Sequence, residues 1–293
     1  MKILFALLLS TLIAVPSIYN SLEGDKKQKS LYPPGYVTIA NVTHKNEKFN
    51  VVTLKREGNK IKAKYFVAPM NGKSVSERYK SWSNGKDGNI VLVSSGTYMD
   101  GSKAPVGFSI DNGIIVNSTL RDSDMDALVI VYATGGVVCS NLKNADLTIK
   151  GRKYDLRGNG RDLAEFKTWA EDEEATVFQT HLLVYNNKLT ISSINSSTNV
   201  ARRRFLAVGK DEDGKLVHMI VQCPNACTLY EGANKTFNFL REKQSMDITF
   251  MINLDTGYQD VFKLYNEDGT INSAIYGEKD LSVAINLLAY YYE

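Results

Sequence analysis

Charged and polar residues gather where apolar runs of this sequence give way to turns, and such junctions commonly carry chemistry. The triplet Arg202-Arg203-Arg204 opens the run Phe205–Gly209, with Asp213-Gly214 close behind. A guanidinium offers two parallel donors and keeps its charge, which suits a phosphate. Side chains alternate along a strand, so Arg202 and Arg204 share one face and Arg203 takes the other. The same triplet at the start of a strand equally suits pairing with surface carboxylates. Asp255 follows Phe250-Met-Ile-Asn-Leu254, at the mouth of an apolar run, and Gly257 permits a tight turn after it. A carboxylate there serves as nucleophile, general base or metal ligand, or it caps the strand end as an Asx turn. His181 lies inside the apolar segment Thr176–Leu183, a setting as fitting for a hydrogen-bonded core histidine as for a catalytic one. A last polar segment runs from Val93 to Asp100, followed by Ala104-Pro-Val-Gly107 and Asp111-Asn-Gly113. The nucleophile-elbow, zinc-helix, P-loop and dinucleotide fingerprints are all missing.

The elements that must position these residues are short and mostly extended. Strands are expected at Tyr36–Val42, Asn50–Lys55, Asn89–Ser94, Ala127–Thr134, Thr176–Tyr185, Lys188–Ile194, Arg204–Val208, Leu216–Val221, Met246–Leu254 and Asp260–Tyr265. Glu57–Lys60 reads as the turn of a hairpin whose second strand is Ile61–Val67, and Asp111-Asn-Gly113 as the turn between Phe108–Ile110 and Ile114–Val116. Ser74 and Glu77 form a capping box for a helix through Trp82. Asn159–Trp169 is expected to be a helix, because Leu163, Phe166, Trp169 and Ala170 fall on one face. Helices are also expected at Asn234–Lys243 and, closing the chain, at Leu281–Tyr291. This pattern predicts an α+β fold: one domain with a strand-rich mixed sheet core, a few flanking helices and a C-terminal helix.

The N-terminus reads as an address. Lys2, the apolar run Ile3–Val15 and the small residues around Val15-Pro16-Ser17 match a secretory signal, so residues 1–17 are expected to be a signal peptide. A helix over that run spans roughly 20 Å, short of a bilayer core of about 30 Å, so no stable membrane span is expected after cleavage. Residues 18–34 are polar, lysine-rich and end in Pro33-Pro34, like a flexible leader, and residues 35–293 form the domain. The expected location is exported, periplasmic or secreted. The 35 basic and 32 acidic residues leave a net charge of +3, too balanced for a nucleic-acid partner. Cys223-Pro-Asn-Ala-Cys227 offers a small disulfide in an oxidising compartment, leaving Cys139 over. With only His44, His181 and His218 besides, neither a metal nor a cofactor is expected.

Taken in order, the four polar segments resemble the phosphodiester glycosidase domain family. Ser95-Gly-Thr-Tyr98, Pro105-Val-Gly107 and Asn112-Gly113 match its first loop, its Pro-x-Gly step and its hairpin. Phe178–Leu183 matches the strand at its substrate cleft, Arg203/Arg204–Gly209 with Asp213-Gly214 its arginine strand, and Leu254-Asp255-Thr256-Gly257 its Leu-Asp-Gly loop. The chain departs from the family at Ser95, where the family has Asn, and at Tyr258-Gln259-Asp260, where it has glycine and serine. The resemblance implies hydrolysis of a sugar-1-phosphodiester or related glycosidic linkage, with a glycan or sugar phosphate as partner. It implies Asp255, Asp100 and His181 as catalytic groups. Arg203, Arg204, Ser95, Thr97, Tyr98, Gln179, Thr256 and Gly257 would then bind substrate or phosphate. A non-catalytic glycan-binding or envelope protein on the same fold is the alternative, favoured by the 16 tyrosines, since aromatic faces stack on sugars.

Overall fold

The computed structural model describes residues 32–85, 89–121, 124–194 and 198–293. The expected signal peptide and the leader as far as residue 31 lie outside the described residues. The fold is α+β, with four sheets and three α-helices among the described residues.

The largest sheet has seven strands in the order Val37–His44, Glu47–Lys55, Leu216–Cys227, Ala201–Lys210, Asp247–Leu254, Leu182–Tyr185 and Lys188–Leu189. A five-stranded sheet runs Ile114–Asn117, Ser109–Asp111, Thr176–Thr180, Ala127–Val131 and Val137–Asn141. A second runs Ile271–Asn272, Phe262–Tyr265, Ile90–Ser94, Leu287–Tyr292 and Ile61–Phe66. A two-stranded ribbon pairs Leu147–Ile149 with Arg152–Tyr154. Neighbouring strands in the sheets pair antiparallel, and a parallel bridge joins Val261 to Lys279.

The inner faces of the three large sheets meet in a common core. Leu206, Ile220 and Ile252 come from the first, Val129 and Phe178 from the second, and Tyr65, Leu92 and Tyr290 from the third. Each outer face is covered by a helix. α1 (Val75–Asn84) lies over the sheet containing Phe66 and Val93, α2 (Gly160–Asp172) over Ile110 and Val177, and α3 (Leu229–Glu242) over Phe205 and Met251. α1 carries the Ser74–Glu77 capping box read from the sequence. α2 starts at the Asn159 cap and buries Phe166 and Ala170. α3 begins earlier than expected, because Thr228 and Glu231 make a capping box ahead of Asn234.

Two expectations are corrected. The chain does not close with a helix over Leu281–Tyr291: a short 3-10 turn spans Leu281–Val283, and Leu287–Tyr292 is a strand between Ile90–Ser94 and Ile61–Phe66. Its first five residues are all buried, and a run apolar on both faces carries no period to separate helix from strand. Nor is Glu57–Lys60 a hairpin turn. Glu47–Lys55 pairs with Val37–His44 through Lys45-Asn46, both at positive φ, while Ile61–Phe66 crosses to another sheet. The Asn112-Gly113 hairpin is present, with φ of 51° and 82°.

Candidate functional site

Strand Asp247–Leu254 delivers Asp255 to the surface of the core. Two hydrogen bonds to the residues just after strand Ile90–Ser94 hold it there. The Asp255 N–H donates to the Gly96 carbonyl at 2.7 Å, and the Ser95 hydroxyl donates to the Asp255 carbonyl. The approach is close: a Cβ on Gly96 would sit 2.2 Å from the Tyr65 ring, a contact only glycine avoids. Asp255 Oδ1 accepts from the Gly257 N–H at 2.8 Å, and Oδ2 accepts from Gln259 Nε2 at 3.2 Å. The carboxylate is therefore an Asx-turn cap and a cavity-lining group at once. Burial pushes its pKa up, and the Gly257 and Gln259 hydrogen bonds only partly oppose that.

Asp100 reaches the same cavity from a hairpin. Its base is the Val106-to-Tyr98 hydrogen bond, and Met99 bridges Pro105 above it. Asp100 Oδ1 accepts from Ser102 Oγ at 2.6 Å, Ser102 N at 2.8 Å and Ala104 N at 3.0 Å. The Ser102 hydroxyl foremost, then the Ala104 N–H, hold this exposed carboxyl below the usual range. The cavity measures about 420 Å³, and Asp255, Asp100, Lys103, Tyr258, Gln259 and Ile285 are among its lining residues. A shallower lobe of about 230 Å³ lies across the hairpin, lined by Asp100, Gly107, Asn117 and Arg121.

The arginines behave as strand alternation predicts, but all three have protein partners. Arg202 and Arg204 both reach Asp260, at 3.0 and 2.7 Å. Arg204 is fully buried and lies over the Phe262 ring at 4.7 Å. Arg203, on the opposite face, donates to the carbonyls of Cys227 and Asn199. Arg203 and Arg204, expected to bind phosphate, are thus both engaged by the protein's own groups. Thr256 is engaged too, donating to the Arg202 carbonyl at 2.6 Å.

The remaining expected residues are bonded as follows. Gln179 is fully buried and uses its whole amide: Oε1 accepts from Phe108 and Arg121, and Nε2 donates to the Arg121 and Met125 carbonyls. Thr97 is buried too and donates to the Gln179 carbonyl at 2.6 Å. The Tyr98 hydroxyl pairs with Asn253 Nδ2, and its ring meets His181 edge-on at 5.1 Å. His181 Nδ1 lies 2.5 Å from the Asp124 carbonyl, and burial lowers its pKa. It packs against Tyr98 and is not among the residues lining the cavity of Asp255.

No protein-family model matches the chain, and no curated protein does. Among solved structures it is similar to the zebrafish N-acetylglucosamine-1-phosphodiester alpha-N-acetylglucosaminidase catalytic domain auto-inhibited by its pro-peptide. That likeness has a TM-score of 0.47 and 14% identity, covering 88% of this chain and 82% of that one. A hypothetical protein from Synechocystis follows at TM-score 0.45 and 11% identity, covering 88% and 62%. A candidate exported protein from Burkholderia pseudomallei stands at 0.38 and 11%, covering 86% and 75%. The likeness is one of distant fold.

Several residues of the site were not singled out by sequence reasoning. Gln259 and Asn286 form a buried amide pair behind Asp255: both donate to the Thr97 carbonyl, and Asn286 Oδ1 accepts from Tyr65 and from the Gly96 N–H. Lys103 and Tyr258 complete the cavity wall. The one available signal was Asp260, a lone carboxylate opening an apolar strand with arginines to be neutralised elsewhere. The described residues contain no cluster of His, Cys, Asp or Glu able to hold a metal and no helix long and apolar enough to cross a membrane. Cys139, Cys223 and Cys227 are all free thiols, with Cys223 Sγ 3.4 Å from the Thr236 hydroxyl.

Proposed function

We propose that the protein is an exported hydrolase acting at the anomeric carbon of a sugar, on a sugar-1-phosphodiester or a related glycosidic linkage. Such reactions pass through an oxocarbenium-like centre and use two carboxyl groups, one carrying a proton and one charged. The observation that carries the reading is the pair Asp255 and Asp100. They line one cavity, and their surroundings push their pKa values in opposite directions. Opposed shifts in neighbouring carboxyls assign the roles of acid and base. Asp255, desolvated, is the proton carrier. Asp100, held ionised by Ser102 and Ala104, supports the cationic centre or directs water to it. Export rests on the signal-like residues 1–17. The arginines stabilise the Asp255–Asp260 loop through Asp260, and Lys103 is the cation in the cavity wall.

The test is turnover of a panel of sugar-1-phosphodiesters and aryl glycosides by the purified chain. Loss of either carboxyl in Asp255→Asn or Asp100→Asn should lower kcat by about 10²–10⁴-fold. Turnover unaffected by both changes, or none on any substrate, ends the hydrolase reading. Tyr258, 70% exposed at the cavity wall, favours a second reading, a glycan-binding protein. Saturable sugar binding without turnover would establish it.

A further inference from the structure

Lys103 and Tyr258 also line the cavity of Asp255 and Asp100. Lys103 has its backbone in the left-handed region, at φ 65°, where glycine sits free of strain and a lysine does not. Its N–H donates to the Asp100 carbonyl at 3.0 Å, closing the hairpin turn. Among the described residues Lys103 has no ion-pair partner, whereas Arg202 and Arg204 are held by Asp260. Tyr258 presents an exposed ring to the same space, and a flat aromatic face suits the C–H face of a sugar. We propose that this cavity binds an acidic sugar, with Lys103 contacting a carboxylate on the ring that stacks on Tyr258.

The inference depends on the hydrolase reading only for the reaction after binding; the site itself stands on Lys103 and Tyr258. It is tested by calorimetry of the full chain with glucose and glucuronate. The two differ in the charged group, and a charge-assisted contact should separate their affinities by about tenfold. Lys103→Gly suits the turn and should fold normally, yet bring glucuronate to within about twofold of glucose. Tyr258→Ala should weaken both sugars alike. Arg121→Ala, in the neighbouring lobe, should leave the preference intact. Equal affinities in the unaltered protein overturn the proposal, as does a preference that survives Lys103→Gly or disappears in Arg121→Ala. No glucuronate binding at about 10 mM, weaker than any useful site, overturns it too. Lys103-dependent binding without turnover of any glycoside ends the hydrolase reading and leaves this site standing. Turnover with no Lys103-dependent preference does the reverse.

Discussion

Gln259 Nε2 donates at 3.2 Å to Asp255 Oδ2 and at 3.1 Å to the Thr97 carbonyl, while Gln259 Oε1 accepts from the N–H groups of Ile285 and Asn286. The amide is buried, and its oxygen is committed to two donors, so it cannot turn over. One side chain therefore ties the acidic loop, the end of strand Ile90–Ser94 and the start of the C-terminal strand together. Gln259→Leu keeps the bulk but strands the two N–H groups, at a cost of about 1–3 kcal/mol in chemical denaturation. It also removes a hydrogen bond that favours ionised Asp255, so the alkaline limb of the rate profile should move to higher pH. An unchanged limb in a folded variant would show that Gln259 does not govern Asp255.

Asp260 is the counter-ion of two arginines of different burial. Arg204 is inaccessible, and Arg202 is partly open and also reaches Glu278 at 2.6 Å. Asp260→Ala leaves Arg204 buried without an anion, and breaking such a pair costs about 3–5 kcal/mol. Arg202→Ala removes a half-open contact worth about 0–1 kcal/mol. Urea titrations of the two variants should therefore differ by several-fold in lost stability. Equal losses would mean that Arg204 relaxes into solvent when its partner goes.

The thiols give a direct test of the Cys223–Cys227 pair. Burial pushes the Cys223 thiol up to about 12 and raises Cys139 and Cys227 as well. Thiolate is the reactive form, so a disulfide-exchange reagent at pH 8 should modify the native chain slowly. Denaturant should then release three equivalents, one for each cysteine. Release of a single equivalent from protein exported through an oxidising compartment would reveal a bridge instead.

Local signals in the sequence were reliable where the physics is local. The capping box at Ser74 and Glu77, the Asn112-Gly113 hairpin and the opposite facing of Arg203 and Arg204 all depend on residues a few positions apart. The destination of Ile61–Phe66 does not. A turn at Glu57–Asn59 serves a hairpin or a change of sheet equally well, and its pairing with Leu287–Tyr292 lies more than 200 residues away. The site divides in the same way. Asp255 was legible because an apolar strand stops at it. Gln259 and Asn286 were not, because their partners at Thr97 and Tyr65 are brought near only by the assembled sheets.

Asp255 also links the proposed chemistry to stability. Burial raises its pKa above the unfolded value of about 3.9, so the folded chain holds this proton more tightly. The stabilising contribution is complete below the unfolded pKa and is lost as pH rises through the folded one. Asparagine carries no such charge penalty. The melting temperature of Asp255→Asn relative to the unaltered protein should therefore climb as pH rises from about 4 through the raised folded pKa, levelling once Asp255 is fully ionised. The absolute offset also contains the mismatch between an asparagine amide and the Gln259 donor, so the slope is the decisive quantity. A positive slope in a variant that has lost turnover is the signature of a group kept at the expense of stability. A flat or negative slope would show that Asp255 is charged and well solvated in the folded protein, and would remove it as the proton carrier.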